Sequence, residues 1–506
     1  MRTATAQYQT VTAPVGGWDT RNALANMPEQ NAYILDNWIP ETEQVILRRG
    51  YASHATGMSG NVETLFEYNA MDGSDKLFAA NGGNIYDVTS AGAVGAAAVS
   101  SLTNDRWQWI QMETGAKLYL LMVNGADGVR SYDGTTWATE TISGGVTAAN
   151  LIWISLHQNR VWFGEDDTLD AWYLGTQAKA GAATKFAMGG IFSKGGKIMA
   201  MGTWSRDSGE GEDDAAVFIT SEGQAAVYLG TDPSAASTWG LVGVYDIGKP
   251  IGRRCIVKAG SDLVVITQDG FVEISSILRR DRSQAELVAI SNQIQPTVNE
   301  AVRAGSSLFG WQPFVYPKSQ LLIFNIPQSA TQFHQYVFST YTGKPCRFTG
   351  INSLCWGMLN DHAYFGGTDG VVYKADTGED DNGAAIPSDV VQAFNYFGSP
   401  GQSKRFTMID PVFKGAYDPE PTTGLNLDFQ VTSVGSAIAP TPNAAGTWDN
   451  AVWDADVWGD SEAIWRGWRG VSGVGRAAAL RMTMSTNNGR PAWIATTFQY
   501  EVGGPM

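Results

Sequence analysis

Short apolar runs recur along this chain in pairs, each pair separated by a turn of Gly, Asp or Asn. Leu77-Phe78-Ala79-Ala80 breaks at Asn81-Gly82-Gly83 and returns through Ile85-Tyr86. Leu118-Tyr119-Leu120-Leu121 breaks at Asn124-Gly125 and Asp127-Gly128 and returns to Tyr132. Val161-Trp162-Phe163 repeats the figure with Trp172-Tyr173, and Ala216-Val217-Phe218-Ile219 with Val227-Tyr228. So do Leu263-Val264-Val265-Ile266 with Phe271-Val272, and Ala363-Tyr364-Phe365 with Val371-Val372-Tyr373. Period-two alternation bounded by residues that tolerate positive φ predicts a β-hairpin at each.

The turn centres are Gly83, Asp127, Asp167, Gly223, Gly270 and Asp369, with one double step that Leu321-Leu322-Ile323-Phe324 and Tyr336-Val337-Phe338 fill as a seventh hairpin. Their step lies near the ~40–50 residues of a propeller blade. A single four-stranded blade cannot bury both its faces, so blades stack radially. The expected fold class is all-β: a β-propeller of six or seven blades over residues 56–387. An extended N-terminal arm (residues 1–55) precedes it and a smaller C-terminal β region (residues 388–506) follows. A run of antiparallel sandwiches gives similar spacing and is the alternative.

One segment breaks the rhythm. Ser291 to Arg303 carries apolar positions at helical spacing, closed by Ala304-Gly305, and predicts a short helix. After about Ser388 the hairpins give way to spaced tryptophans, Trp448, Trp453, Trp458, Trp465 and Trp468, then to strands at 479–485 and 493–500.

Composition agrees with a sheet protein. Of 506 residues 43% are hydrophobic and only 17% charged, with 58 Gly and 18 Trp, 18 Tyr and 20 Phe. Many turns and many aromatics favour strand over helix. No apolar run approaches the roughly 18 residues of a membrane span, and no signal peptide is expected behind Met1-Arg2-Thr3-Ala4. Cys255, Cys346 and Cys355 are too few and odd in number for a disulfide framework, and read as buried hydrophobes of a chain folded in a reducing cytoplasm. The four histidines form no ligand spacing, so no metal is expected. The net charge of −16 excludes a protein that grips nucleic acid by neutralising phosphates, yet suits one that DNA slides past.

Nothing in the chain asks for catalysis. There is no phosphate loop and no nucleophile elbow. Asp166, Asp167 and Asp170, or Asp380 and Asp381, could supply a glycosidase pair but carry no spacing signature. Ser131-Tyr132-Asp133-Gly134-Thr135-Thr136-Trp137 comes close to an Asp-box, occurs once, and is equally a hairpin turn. No catalytic, cofactor-binding or metal residues are assigned, and no cofactor. The densest acidic run holds Asp207, Glu210, Glu212, Asp213 and Asp214 and lacks calcium-loop spacing. It reads as a solvated loop, or as one facing a DNA channel.

The first fifty residues hold the most specific pattern: Gly16-Gly17-Trp18-Asp19-Thr20-Arg21, then Ala32 and Leu35-Asp36-Asn37-Trp38-Ile39-Pro40, then Arg48-Arg49-Gly50. Gly-Gly and Pro punctuation between short apolar anchors reads as a tethering arm. Trp18, Arg21, Trp38, Arg48 and Arg49 are its interface residues, because Trp and Arg are enriched where proteins meet. The pattern resembles the N-terminal segment of tail nozzle and DNA-stabilising hub proteins of short-tailed bacteriophages. The strand–loop–helix stretch from Asp269 to Arg303 is similar to the same family. That resemblance implies a structural virion protein of the tail, assembled in the host cytoplasm. It also implies a homo-oligomeric ring of six copies under the portal and adaptor, with duplex DNA passing through a channel that retains and then releases the genome. A propeller glycosidase or depolymerase, and a receptor-binding propeller whose tryptophans stack on a host glycan, are the alternatives.

Overall fold

The computed structural model describes residues 5–115, 117–207, 212–277, 289–416, 418–434 and 463–505. Strand dominates, and the chain divides into two compact units. One unit comprises residues 53–333 and 352–374. The other gathers three separate segments, residues 1–52, 334–351 and 375–506.

The first of these, contiguous apart from residues 334–351, is a succession of small antiparallel meanders, and the six main hairpins pair as the alternation predicts. Lys76–Asn81 pairs with Asn84–Asp87, Lys117–Val123 with Arg130–Tyr132, and Arg160–Glu165 with Asp170–Tyr173. Glu212–Thr220 pairs with Gln224–Gly230, Asp262–Thr267 with Gly270–Glu273, and His362–Gly367 with Val372–Ala375. A preceding strand completes each meander on the other side, for example Val62–Tyr68, Gln108–Thr114 and Leu151–His157. Gln312–Tyr316 with Leu321–Pro327 forms a further antiparallel pair. The turns use the chemistry the sequence offers. Gly223 and Gly370 sit at φ +79° and +78°, and a Cβ on either would stand 2.4 Å from a backbone atom of Gly248 or Met58. No other residue type fits there.

Why the strands read as runs and not as clean alternation is answered by what covers them. Trp162 packs toward Phe218, Tyr228 and Trp239 of the next sheet, whereas its neighbours Val161 and Phe163 pack toward Leu121 and Val123 of the preceding one. Phe218 and Val217 divide in the same way between consecutive cores. Each sheet is therefore buried on both faces, which removes the polar half of the pattern. Phe271 stacks on Phe324 at 3.9 Å, and Phe314 on Trp356 at 5.6 Å, which carries the stacking onward. Val62 and Leu65 of the unit's first meander share a core with Cys355, Leu359, Tyr364 and Val372 of its last. Residues 53–56 of strand Tyr51–Thr56 lie in that last sheet, next to Val372–Ala375. The helix expected at 291–303 is a 3₁₀ turn, Ile290–Ile294, running into an α-helix, Gln295–Gly305, with a proline in its first turn.

The second unit differs from the sequence reading. Within residues 1–55, residues 6–47 are not a tether standing apart from residues 388–506, because the two are woven into the same sheets, whereas residues 53–55 belong to the other unit. Ala6–Thr12 runs antiparallel along Ala492–Pro505, from Ala6 opposite Glu501 to Thr12 opposite Ala495. Val45–Leu47 flanks the same long strand, whose other neighbour is Gln402–Lys414. In the second sheet Asn31–Asp36 pairs with Ile386–Gln392, which pairs with Ala478–Thr486. Pro345–Phe348 lies parallel to Asn31–Asp36, with Arg347 opposite Asp36, and this draws residues 334–351 out of the stretch read as propeller. The expected strands at 479–485 and 493–500 are present within longer ones. Trp448, Trp453 and Trp458, and residues 278–288 of the strand–loop–helix stretch, lie outside the described residues.

Candidate functional site

The N-terminal pattern is an internal lock. Asp19 accepts from the amides of Arg21 and Asn22 at 3.0 Å and from the Asn31 side chain at 2.7 Å, which folds the Trp-Asp-Thr-Arg turn. A Cβ on Gly16 would meet Asn31 Oδ1 at 2.0 Å, and one on Gly50 would meet the Asp380 carbonyl at 1.6 Å. Trp18 donates to the Tyr33 carbonyl at 3.1 Å and meets the Tyr336 ring edge to face at 5.1 Å, while the Arg347 guanidinium lies 5.2 Å from its ring. Trp38 meets Trp493 at 6.4 Å.

Arg48 is the densest node. Its Nη1 and Nη2 grip Asp381 at 2.8 and 2.6 Å, and its Nε donates to Asn37 Oδ1 at 2.8 Å. Backbone carbonyls of Arg49 and Thr349 take the remaining donors. Side-chain exposure of the pair is 1% and 6%, so nearly every hydrogen-bonding site is met by protein and not by water. Of the five residues read as interface, Trp18, Trp38 and Arg48 are therefore buried within their own unit, and only Arg21 and Arg49 are exposed. Trp and Arg are the residue types of interfaces and of well-filled interiors alike, and the sequence had no means to separate the two.

A different surface of that unit is open. The outward face of the sheet built on Ala492–Pro505 carries Tyr8, 60% exposed, and Trp468, 43% exposed, whose rings meet edge to face at 6.0 Å. Val474 stands opposite Arg405, and Arg405 opposite Glu501, so these side chains share one face; Ile464 is exposed on a neighbouring strand. No sequence signal distinguished Tyr8 or Val474.

The acidic run lies at the end of a long hairpin. Strand Ile198–Asp207 pairs with Glu212–Thr220, with Asp207 opposite Glu212, Arg206 opposite Asp213 and Ser205 opposite Asp214. Glu210 lies outside the described residues, and Asp214 is half-buried.

The carboxylates that could have paired for glycoside chemistry have other partners. Lys197 bridges Asp166 at 2.5 Å and Asp167 at 3.2 Å, and Asp381 belongs to Arg48. Asp133, of the near Asp-box, accepts from the amides of Thr136 at 2.8 Å and Thr135 at 3.0 Å, which hold its carboxyl well below the usual range. The cysteines are buried, and burial pushes the thiols of Cys255 and Cys355 up to about 12 and 11. No helix among the described residues is long and apolar enough to cross a membrane.

Glu67, in the unit of the hairpins, is a buried carboxyl raised far above its ordinary value. It lines a cavity of about 400 Å³ together with Trp109, Phe314 and Met358. Burial pushes its carboxyl up from an ordinary 4.5 to about 7; a hydrogen bond with Asn69 opposes the shift and Asp75 adds to it. An acid whose folded-state value is raised costs stability as pH climbs, since the unfolded chain gives up that proton first. The loss begins near pH 4.5 and is complete above pH 7. Glu67→Gln is expected to stabilise the protein by about 1–3 kcal/mol at pH 8 and to do little at pH 4. Urea denaturation at the two pH values checks this, and an equal effect at both contradicts it.

No protein-family model matches the chain, and no curated protein matches it. Solved structures that match do so at low identity. The designed Ika8 protein is 13% identical over 68% of this chain and 96% of its own, with a TM-score of 0.36. BBS1N, solved in complex with ARL6DN, is 8% identical over 66% and 99%, with a TM-score of 0.39. The WD40 β-propeller domain of Doa1 is 9% identical over 64% and 96%, with a TM-score of 0.37.

Proposed function

We propose that this chain is a structural protein of the tail of a short-tailed bacteriophage, the nozzle or hub beneath the portal and adaptor. In this reading it assembles in the host cytoplasm into a ring of six identical copies, whose channel retains and then releases the genome, and it performs no catalysis. The contiguous unit is a seven-bladed β-propeller. Its six meanders, the further pair Gln312–Tyr316 with Leu321–Pro327, and the core shared between first and last support that count. The unit built from the first fifty residues and the C-terminal region is the platform that docks to the ring above.

The observation that carries the reading is the Gly-Gly-Trp-Asp-Thr to Arg-Arg-Gly segment. Its glycines, Asp19 and Arg48 each occupy a position whose geometry admits little else, so the resemblance falls on residues that a shared platform would require. The exposed face around Tyr8 and Trp468 supplies a surface for a neighbouring copy. A net charge of −16 multiplied around a ring repels duplex DNA and leaves it free to slide; the hairpin end near Asp207 and Glu212 is assigned to that channel. No observation favours a glycosidase, because Lys197 holds Asp166 and Asp167.

Mass spectrometry of purified virus particles from the producing culture tests this. The chain is expected among the virion proteins, at a copy number that is a multiple of six. Its absence from particles, or hydrolysis of host polysaccharide by the purified protein, contradicts the reading.

A further inference from the structure

In a chain with an acidic excess of 16 charges, one cavity of the contiguous unit is walled by arginines. It has a volume of about 400 Å³, and its lining holds Arg106, Arg253 and Arg254 against a single carboxylate, Glu63. Phe309 provides an aromatic wall, with the Arg106 guanidinium 4.5 Å and the Arg254 guanidinium 5.3 Å from its ring. The sequence marks Arg253-Arg254 only as a basic pair. Arg106 and Phe309 come to it from other parts of the chain.

The three arginines are not equivalent. Arg254 is a strut: it donates to the carbonyls of Glu63 and Trp107 at 2.8 and 3.2 Å and to Thr64 Oγ1 at 2.5 Å. The other two are held loosely. Arg106 meets Glu63 at 3.2 and 3.5 Å. Arg253 reaches the Asn124 carbonyl at 3.3 Å, and Asp166, already bound to Lys197, lies 3.7 Å away. Structural arginines of the same protein look different: Arg347 grips Asp36 with two bonds of 2.7 Å. Gly125, at φ +76°, leaves the space that Arg253 occupies, since a Cβ there would stand 3.0 Å from Nη1. Long, partial bonds to guanidinium groups exchange readily for short bidentate ones when an anion arrives, and a walled site strengthens that attraction.

We propose that this cavity is a binding site for a small anion carrying two or more carboxylate or phosphate groups, held by Arg106 and Arg253 against the Phe309 wall, with Arg254 fixing that wall in place. Four hundred cubic ångströms lies within the range of small-molecule sites and accommodates a ligand of citrate or pyrophosphate size. The inference is independent of the tail-protein reading and stands or falls without it.

Calorimetric titration of the full chain with inorganic pyrophosphate, and separately with citrate, tests it at an ionic strength held constant with sodium chloride. Saturable one-to-one binding is expected, with each ligand displacing the other. Arg253→Gln and Arg106→Gln should each weaken binding about tenfold or more. Ser307 is exposed at the cavity rim, so Ser307→Trp, which narrows the mouth and leaves every arginine in place, should abolish binding even if an arginine variant fails to fold. Absence of saturable heat for both anions overturns the proposal. So does binding that survives Ser307→Trp unchanged, and so does binding of duplex DNA that neither small anion displaces.

Discussion

Arg48→Met is expected to remove about 3–5 kcal/mol of stability from the unit that holds the chain's first fifty residues. The substitution keeps the side chain's bulk but leaves Asp381 as a buried carboxylate with its two strongest donors gone. It also takes from Asn37 Oδ1 one of its two donors, leaving only the Thr349 amide. An unpaired buried charge costs more than the pair contributes, so removing both partners should be milder than removing one. Arg48→Met with Asp381→Leu should accordingly recover most of the loss. Urea unfolding followed by tryptophan fluorescence reads both variants, and a single-variant loss below about 1 kcal/mol would show that water replaces the guanidinium.

Removing residues 1–50 should be more severe still, and local in its effect. The deletion takes away Ala6–Thr12, Asn31–Asp36, Trp38–Pro40 and Val45–Leu47, strands that sit beside Ala492–Pro505, Ile386–Gln392 and Pro345–Phe348. It also takes Trp18, Trp38, Leu35 and Leu47, all buried. At roughly 1.5–3 kcal/mol for each fully buried large apolar side chain, the loss exceeds what a unit of this size holds in reserve. Amide hydrogen exchange is expected to show protection lost across 386–392, 402–414 and 478–505. Protection should survive in 117–123, 160–165 and 215–219, whose cores the deletion does not touch. Retained protection in the long C-terminal strands would mean that the N-terminal segment is only laid onto an autonomous fold.

The contrast between the two units explains what the sequence could and could not tell. Every hairpin between Leu77 and Tyr373 is a local object: its turn chemistry and both its strands fall within about twenty residues, and Gly223 or Gly370 announces the turn directly. Stacking of the meanders follows because strands such as Val161-Trp162-Phe163 have no polar face to leave in water. The second unit has no such local cues. Thr10 lies opposite Thr497, and Arg48 meets Asp381 across 333 residues of chain. Neither partner carries a mark that names the other, so a short apolar anchor destined for an interior looks the same as one destined for a neighbouring molecule. The arginine cavity was half legible for a similar reason: Arg253-Arg254 is visible as a pair, but its meaning rests on Arg106 and Phe309, which only the fold brings near.

The pairing of Ala6–Thr12 with Ala492–Pro505 sets a timetable for synthesis. The unit that ends at Lys374 can close before Ala492–Pro505 is made. The first strands of the other unit emerge before it and find their partners after it. At about 5–20 residues per second, Trp18 and Trp38 wait on the order of tens of seconds for the strands of Tyr336 and Trp493 that cover them. A nascent or prematurely terminated chain lacking residues 492–505 offers Ala6–Thr12 no partner at all. Completion of that unit thus reports that translation has passed residue 505, and only chains that reach it bury the first strands.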